Sequence, residues 1–179
     1  PNGEDWRVPV SEMESRIAEL TERLADANLE AALIQNPVDL YYYAGGRQNG
    51  AMIVPAANST ASLAEGGDGA TFFVRCSVNR AKFEAGGDDM PFQVDNFPSL
   101  RIFADKLSSM GLTRAPGLQY GEIPGDLCKK FSSVLSPLGE VADCTGIIHR
   151  QRELKSSWEI DMMRDGAIIQ QQMFDAVED

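Results

Sequence analysis

The chain has 179 residues, 43% of them hydrophobic and 24% charged, with a formal net charge of −11. That length suits one domain with a piece of a second, and the apolar fraction is enough to bury a core. The acidic balance excludes a phosphate-neutralising surface for nucleic acid and disfavours anionic membranes. No apolar run approaches the ~20 residues that span a bilayer.

After an N-terminal extension, residues 1–10, the stretch VSEMESRIAELTERLADANLEA opens the ordered part. Ser11 and Glu14 have capping-box spacing, and Met13, Ile17, Leu20 and Leu24 line one helical face up to a stop at Asn28. Residues 31–35 form a short buried strand. Pro37 starts a single helical turn that Gly45-Gly46 breaks. Residues 50–56 and 70–75 are apolar strands joined by the turn-rich spacer NSTASLAEGGDG, and they are expected to pair antiparallel.

Residues 77–85 then form a short helix, 91–97 a strand, and 98–111 a helix with Phe103, Leu107 and Met110 on one face. Residues 117–121 are strand. The segment from Pro124 to Leu135 is a helix with Leu127, Phe131 and Val134 inward. Residues 139–145 are the last strand, and IIHRQRELKSS is a linker. Strands alternating with helices after the opening pair predict an α/β layered domain with a mixed sheet.

The last helix opens at a second capping box, Ser156 and Glu159, and carries apolar residues from Trp158 to Val177. No Gly, Asn or Pro terminator follows. Asp175, Glu178 and Asp179 place negative charge where the helix dipole disfavours it. The expectation is a helix that continues into a further domain.

Chemistry-bearing clusters are sparse. The single histidine, His149, lies among arginines, and the carboxylates are scattered, so no metal-ligand set converges in sequence. The three cysteines, Cys76, Cys128 and Cys144, form no CxxC pair, which points to a reducing compartment, the cytoplasm. Cys144 lies five residues before His149. A Cys/His nucleophile pair is thus a rival reading, set against a Cys144 that is simply a buried small hydrophobe. The passage from Leu40 to Gly50, LYYYAGGRQNG, crowds tyrosines, paired glycines, Arg, Gln and Asn between apolar segments. It reads either as a binding lip or as a turn with two tyrosines in the core.

The order RIAELTERLADANLEAALI, NPVDLYYYAGG, RQNGAMIVPA and ATFFVRCSVNRAKFEA resembles the N-terminal domain of the creatinase/prolidase/aminopeptidase P family. IIHRQRELKSSWEIDMMRDGAIIQ resembles that family's domain junction, through Arg152, Lys155, Ser156, Glu159, Ile160, Met163, Arg164 and Ala167. Two departures are Ala44-Gly45-Gly46, where the family often has Thr-Gly-Phe, and Gly166, where alanine is common.

The resemblance implies a three-layer mixed sheet flanked by helices, with a ribonuclease H-like motif, over residues 11–150. It also implies that 151–179 are the linker and first helix of a C-terminal pita-bread catalytic domain. It places catalytic residues and two divalent metal ions, such as manganese, cobalt or zinc, in that following domain, with no catalytic or metal-binding residue in this chain. It implies a homodimeric parent, a Xaa-Pro dipeptidase or aminopeptidase, in which this domain leans over the partner subunit's active site. Tyr43, Arg47 and Gln48 would then face substrate at the rim. A metal-free creatinase-like amidinohydrolase parent and a free-standing small-molecule-binding domain are the alternatives.

Overall fold

The computed structural model describes residues 7–63 and 69–178. Residues 1–6 of the N-terminal extension, residues 64–68 of the spacer, which include most of the GGDG turn, and Asp179 lie outside the described residues.

A five-stranded mixed sheet forms the middle layer. Its strands are β1 (Ala31–Ile34), β2 (Gly50–Pro55), β3 (Thr71–Val74), β4 (Gln93–Asn96) and β5 (Gly117–Leu118), in the order β4-β3-β2-β1-β5. The expected antiparallel pair, β2 with β3, is present. β1 pairs antiparallel with β2, while β4 and β5 join the edges in parallel.

Alternation along the central strands sends side chains to two separate cores. Ala32, Ile34, Met52, Val54, Phe72 and Val74 face one side, under α1 (Val10–Asp26), α2 (Pro37–Ala44), α3 (Val78–Glu84) and α6 (Thr145–Glu153). Ala31, Leu33, Ala51, Ile53 and Phe73 face the other, under α4 (Phe103–Ser109) and α5 (Gly125–Leu135). Phe103 sits at the centre of that second core, edge-on to Phe73 and Phe131 and stacked on Phe97. The three-layer α/β expectation thus holds, with the central strands buried on both faces.

Gly50 is where β2 must be bare. A Cβ there would stand 2.0 Å from the Phe73 carbonyl oxygen, so only glycine permits the β2–β3 pairing at that end.

Local expectations fail in four places. The Ser11/Glu14 box does not form, because the helix starts two residues earlier than that cap would set it. Pro9 takes the cap position, with its carbonyl accepting from Glu12 and Met13 N–H, while Val8 is drawn into the core. Pro37 opens a two-turn helix rather than one turn, capped by Asn36, whose side chain accepts from the Val38 and Asp39 N–H groups. Residues 139–145 are not a strand: a single parallel bridge joins Leu118 to Asp143. The Asp143 carboxylate then accepts from Thr145 N–H and hydroxyl, which turns the chain into a helix at once. The supposed linker after it is α6, with Ile147, Ile148 and Gln151 buried.

The second capping box forms as expected at the start of α7 (Ser157–Glu178): Ser156 N–H donates to Glu159, and Glu159 N–H donates to the Ser156 hydroxyl.

Candidate functional site

The passage after α2 makes a shaped surface. Gly45 ends α2 in the left-handed conformation, at φ 66°. Gly46 packs on Glu84, so close that an added Cβ would lie 2.7 Å from a carboxylate oxygen. Glu84 is buried and organises the loop. It accepts from Arg47 N–H at 3.0 Å, from Gln48 Nε2 at 3.1 Å and from Arg80 Nε at 2.7 Å. Burial opposes its charge, but these donors outweigh burial and hold its pKa below the ordinary carboxylate value. Sequence reasoning missed Glu84. The available signal was Arg80 one helical turn before it, a spacing that pairs charges on a helix.

Two adjoining cavities flank this loop. One, of about 370 Å³, lies between Gly46, Arg47, Arg80 and Glu84. The other, of about 520 Å³, lies between Gln35, Val38, Leu40 and Asn49. Tyr41, Arg47 and Gln48 line both. The Arg47 guanidinium is exposed and stands 5.8 Å over the Tyr41 ring.

Of the three residues expected at a rim, Arg47 and Gln48 are at this surface and Tyr43 is not. Tyr43 is fully buried, and its hydroxyl donates to Gln151 Oε1 at 2.7 Å. The physical reason is helical spacing: α2 turns Leu40 and Tyr43 toward the core and leaves Tyr41 to face the cavities. Tyr42 lies between, under the Arg16 guanidinium at 4.1 Å.

A second polar assembly, unforeseen from sequence, ties α2 to α6. Asp39 is fully buried and accepts from Arg152 Nη1 at 2.7 Å and from Gln119 Nε2 at 2.5 Å. Burial pushes the Asp39 carboxyl above its ordinary range despite both partners. Gln119 Oε1 accepts from the Gln35 and Asn36 N–H groups. Asn36 Nδ2 donates to Glu122, whose other oxygen meets His149 Nε2 at 2.6 Å. Gln151 also donates to the Arg16 carbonyl, joining α6 to α1. Arg16 reaches on to Glu159 at 3.6 Å and to the face of Trp158, catching the first turn of α7.

These contacts disfavour the Cys144/His149 reading. Cys144 is buried, and burial pushes its thiol up to about 12, leaving essentially no thiolate near neutral pH. His149 is engaged by Glu122 instead. Among the described residues no group of three or more His, Cys, Asp or Glu is placed to hold a metal ion. Among them, too, no helix is long and apolar enough to cross a membrane.

Residues 16–154 match the family model described as the Creatinase/Prolidase N-terminal domain. The chain belongs to that family. Solved structures agree on the fold. A dipeptidase PepE from Mycobacterium ulcerans is 18% identical, with a TM-score of 0.65 over 87% of this chain and 40% of that one. An Xaa-Pro dipeptidase from Bacillus anthracis is 15% identical, with a TM-score of 0.66 over 86% of this chain and 39% of that one. The N-terminal domain of the cytoplasmic peptidase PepQ from Mycobacterium tuberculosis H37Rv, 18% identical, is covered to 98% of its length with a TM-score of 0.53. No curated protein matches the sequence. This creatinase/prolidase N-terminal domain spans about two fifths of the length of the two dipeptidases.

Proposed function

We propose that this chain is the non-catalytic N-terminal domain of a larger hydrolase of the Xaa-Pro dipeptidase or aminopeptidase type. The observation that carries the reading is α7. Beyond its first turn it carries Met163, Ile168, Ile169, Met173 and Phe174, all exposed. At 100° per residue these lie on several sides of the helix rather than along one stripe. A helix apolar on several sides belongs inside a protein. A catalytic domain folded around α7 satisfies it, and the family match and the partial coverage of the dipeptidases support that partner.

In this reading the domain orients the catalytic domain through the α6–α7 junction and takes part in a cytoplasmic homodimer. The Arg47–Gln48 loop, with Tyr41 in the place expected for Tyr43, forms part of the rim of the partner subunit's active site. Chemistry belongs to the following domain, where two divalent metals would activate water for peptide hydrolysis.

Two experiments test it. Reading the gene past the codon for Asp179 should reveal a domain's length of frame with two Asp, one His and two Glu as metal ligands. A frame without them supports a metal-free, creatinase-like parent, and a stop there overturns the reading. In the full-length enzyme, Arg47→Ala should raise KM about tenfold with the fold intact, as loss of a substrate-binding contact predicts. Unchanged kinetics on all peptide substrates would remove the rim role.

A further inference from the structure

A groove of about 370 Å³ runs between α2 and the start of α7. Its apolar walls are Val38, Tyr41 and Tyr42 on α2 and Trp158, Met162 and Met163 on α7. Val38 is 56% exposed and Met163 64% exposed, so each wall of the groove presents a large apolar side chain to solvent. A contiguous exposed apolar surface marks an interaction site. The cations at its edge are already engaged. Arg152 is held by Asp39, Arg16 by Glu12 and Glu159, and Lys155 by the Arg152 and Glu153 carbonyls. Recognition here therefore rests on apolar fit rather than on charge, and the two methionines give one wall the adaptability that such a fit uses.

The junction determines what can cover this groove. Only Leu154, Lys155 and Ser156 separate α6 from α7. The Ser156/Glu159 capping box, the Arg16–Glu159 pair and the Arg16 guanidinium over the Tyr42 and Trp158 rings then fix the direction of α7 against α2. Beyond Met163 the exposed apolar residues of α7 continue through Ile168, Ile169, Met173 and Phe174. A domain folded around α7 therefore starts at the groove, and packing on Met163 brings it to Val38. Carried on the same chain, that domain meets the groove at a millimolar effective concentration, which a separate copy lacks. We infer that the groove between α2 and α7 is a docking surface for the domain that follows α7, and that this domain seats an apolar side chain on Val38. The inference rests on the reading of α7 given above. It adds a contact outside the junction: α2, and not the α6–α7 connection alone, sets the orientation of the following domain.

The test compares the 179-residue chain with the full-length protein by thiol labelling of two variants, read for each cysteine by peptide mass spectrometry. Met163→Cys reports on α7 and Val38→Cys on α2. Both thiols should react freely in the 179-residue chain at every concentration. In the full-length protein both should react at least about tenfold more slowly, as burial of a thiol predicts. A protected Met163→Cys with a freely reactive Val38→Cys would overturn the docking surface and leave the reading of α7 standing. A freely reactive Met163→Cys in the full-length protein would remove that reading and the inference with it. Protection of Val38→Cys that grows with the concentration of the 179-residue chain, or that dilution of the full-length protein abolishes, would assign the groove to a second copy and overturn the inference as well. Val38→Asp supplies an independent measurement. An acid is favourable in the first turn of a helix, so the unfolding midpoint of the 179-residue chain should not fall. In the full-length protein the same carboxylate would be pressed into an apolar contact, and hydrogen exchange along α7 should speed up several-fold. Unchanged exchange there would also overturn the inference.

Discussion

α6 and α7 are successive helices with opposite relations to the fold. α6 is held from three sides: Ile147 and Ile148 lie in the core, Gln151 bridges Tyr43 and the Arg16 carbonyl, and Arg152 pairs with the buried Asp39. α7 is held only at its first turn, by its own capping box, Arg16 and Trp158, and then runs on with its apolar residues uncovered. The difference teaches what anchors a helix. A helix is fixed in a fold when its polar groups as well as its apolar ones find partners there; α6 meets that measure, and α7 beyond its first turn does not.

The largest expected effect comes from breaking the α6 anchor at its charge. Arg152→Leu leaves Asp39 buried without its cation, and should cost about 3 kcal/mol in urea unfolding. A loss under about 1 kcal/mol would mean that α6 is held by its apolar face alone. Tyr43→Phe keeps the ring but strands the Gln151 carbonyl oxygen, and should cost about 1–2 kcal/mol by the same measurement.

Acid should loosen α6 from its start. At Asp143, burial works against the charge, but the Thr145 hydroxyl and amide and the Tyr120 amide outweigh it and lower its pKa from the ordinary 3.8. Its folded form therefore binds fewer protons than the unfolded chain. The stability it contributes is present above 3.8 and is lost as pH falls through the lower folded value. Asp39 has the opposite sign: its raised pKa gives a contribution that is full below 3.8 and lost as pH rises through the folded value. Asp143→Asn should thus flatten the acid limb of a stability–pH profile, and Asp39→Asn should flatten the opposing one. A profile unchanged by either variant would detach both groups from α6 docking.

The smallest effect is expected at α7. Deleting residues 164–179 should leave unfolding stability within about 0.5 kcal/mol, because exposed positions contribute little. A large loss would show that α7 belongs to this domain after all, and would erase the contrast with α6.

Much of the fold was legible in the chain. The short apolar runs AALI, GAMIVP and TFFV announce buried strands, and the spacing of Met13, Ile17, Leu20 and Leu24 at intervals of four, three and four announces α1. The Ser156/Glu159 box was readable because its whole geometry lies within four residues. The Ser11/Glu14 box shares that spacing but failed, because burial of Val8 and the fixed geometry of Pro9 set the helix start. α6 was misread as a linker because its polar residues, His149, Gln151 and Arg152, look solvated until Glu122, Tyr43 and Asp39 are brought to them.

The candidate surface divides in the same way. Composition drew attention to residues 40–50, and Arg47 and Gln48 are there. Tyr43 exchanged places with Tyr41 because only the docking of α2 decides which side of a short helix is inward. The roles of Glu84 and Gln119 depend on distant partners. Glu84 meets its loop partners from 36 and 37 positions away, and Gln119 meets Asp39 from 80. Sequence by itself determined the periodicities and the second capping box, since each depends on neighbours along the backbone, and the acidic balance, which is composition alone. Tertiary structure alone decided which tyrosine is core and which carboxylates are buried. Those outcomes depend on burial and on partners that only the folded sheet brings together.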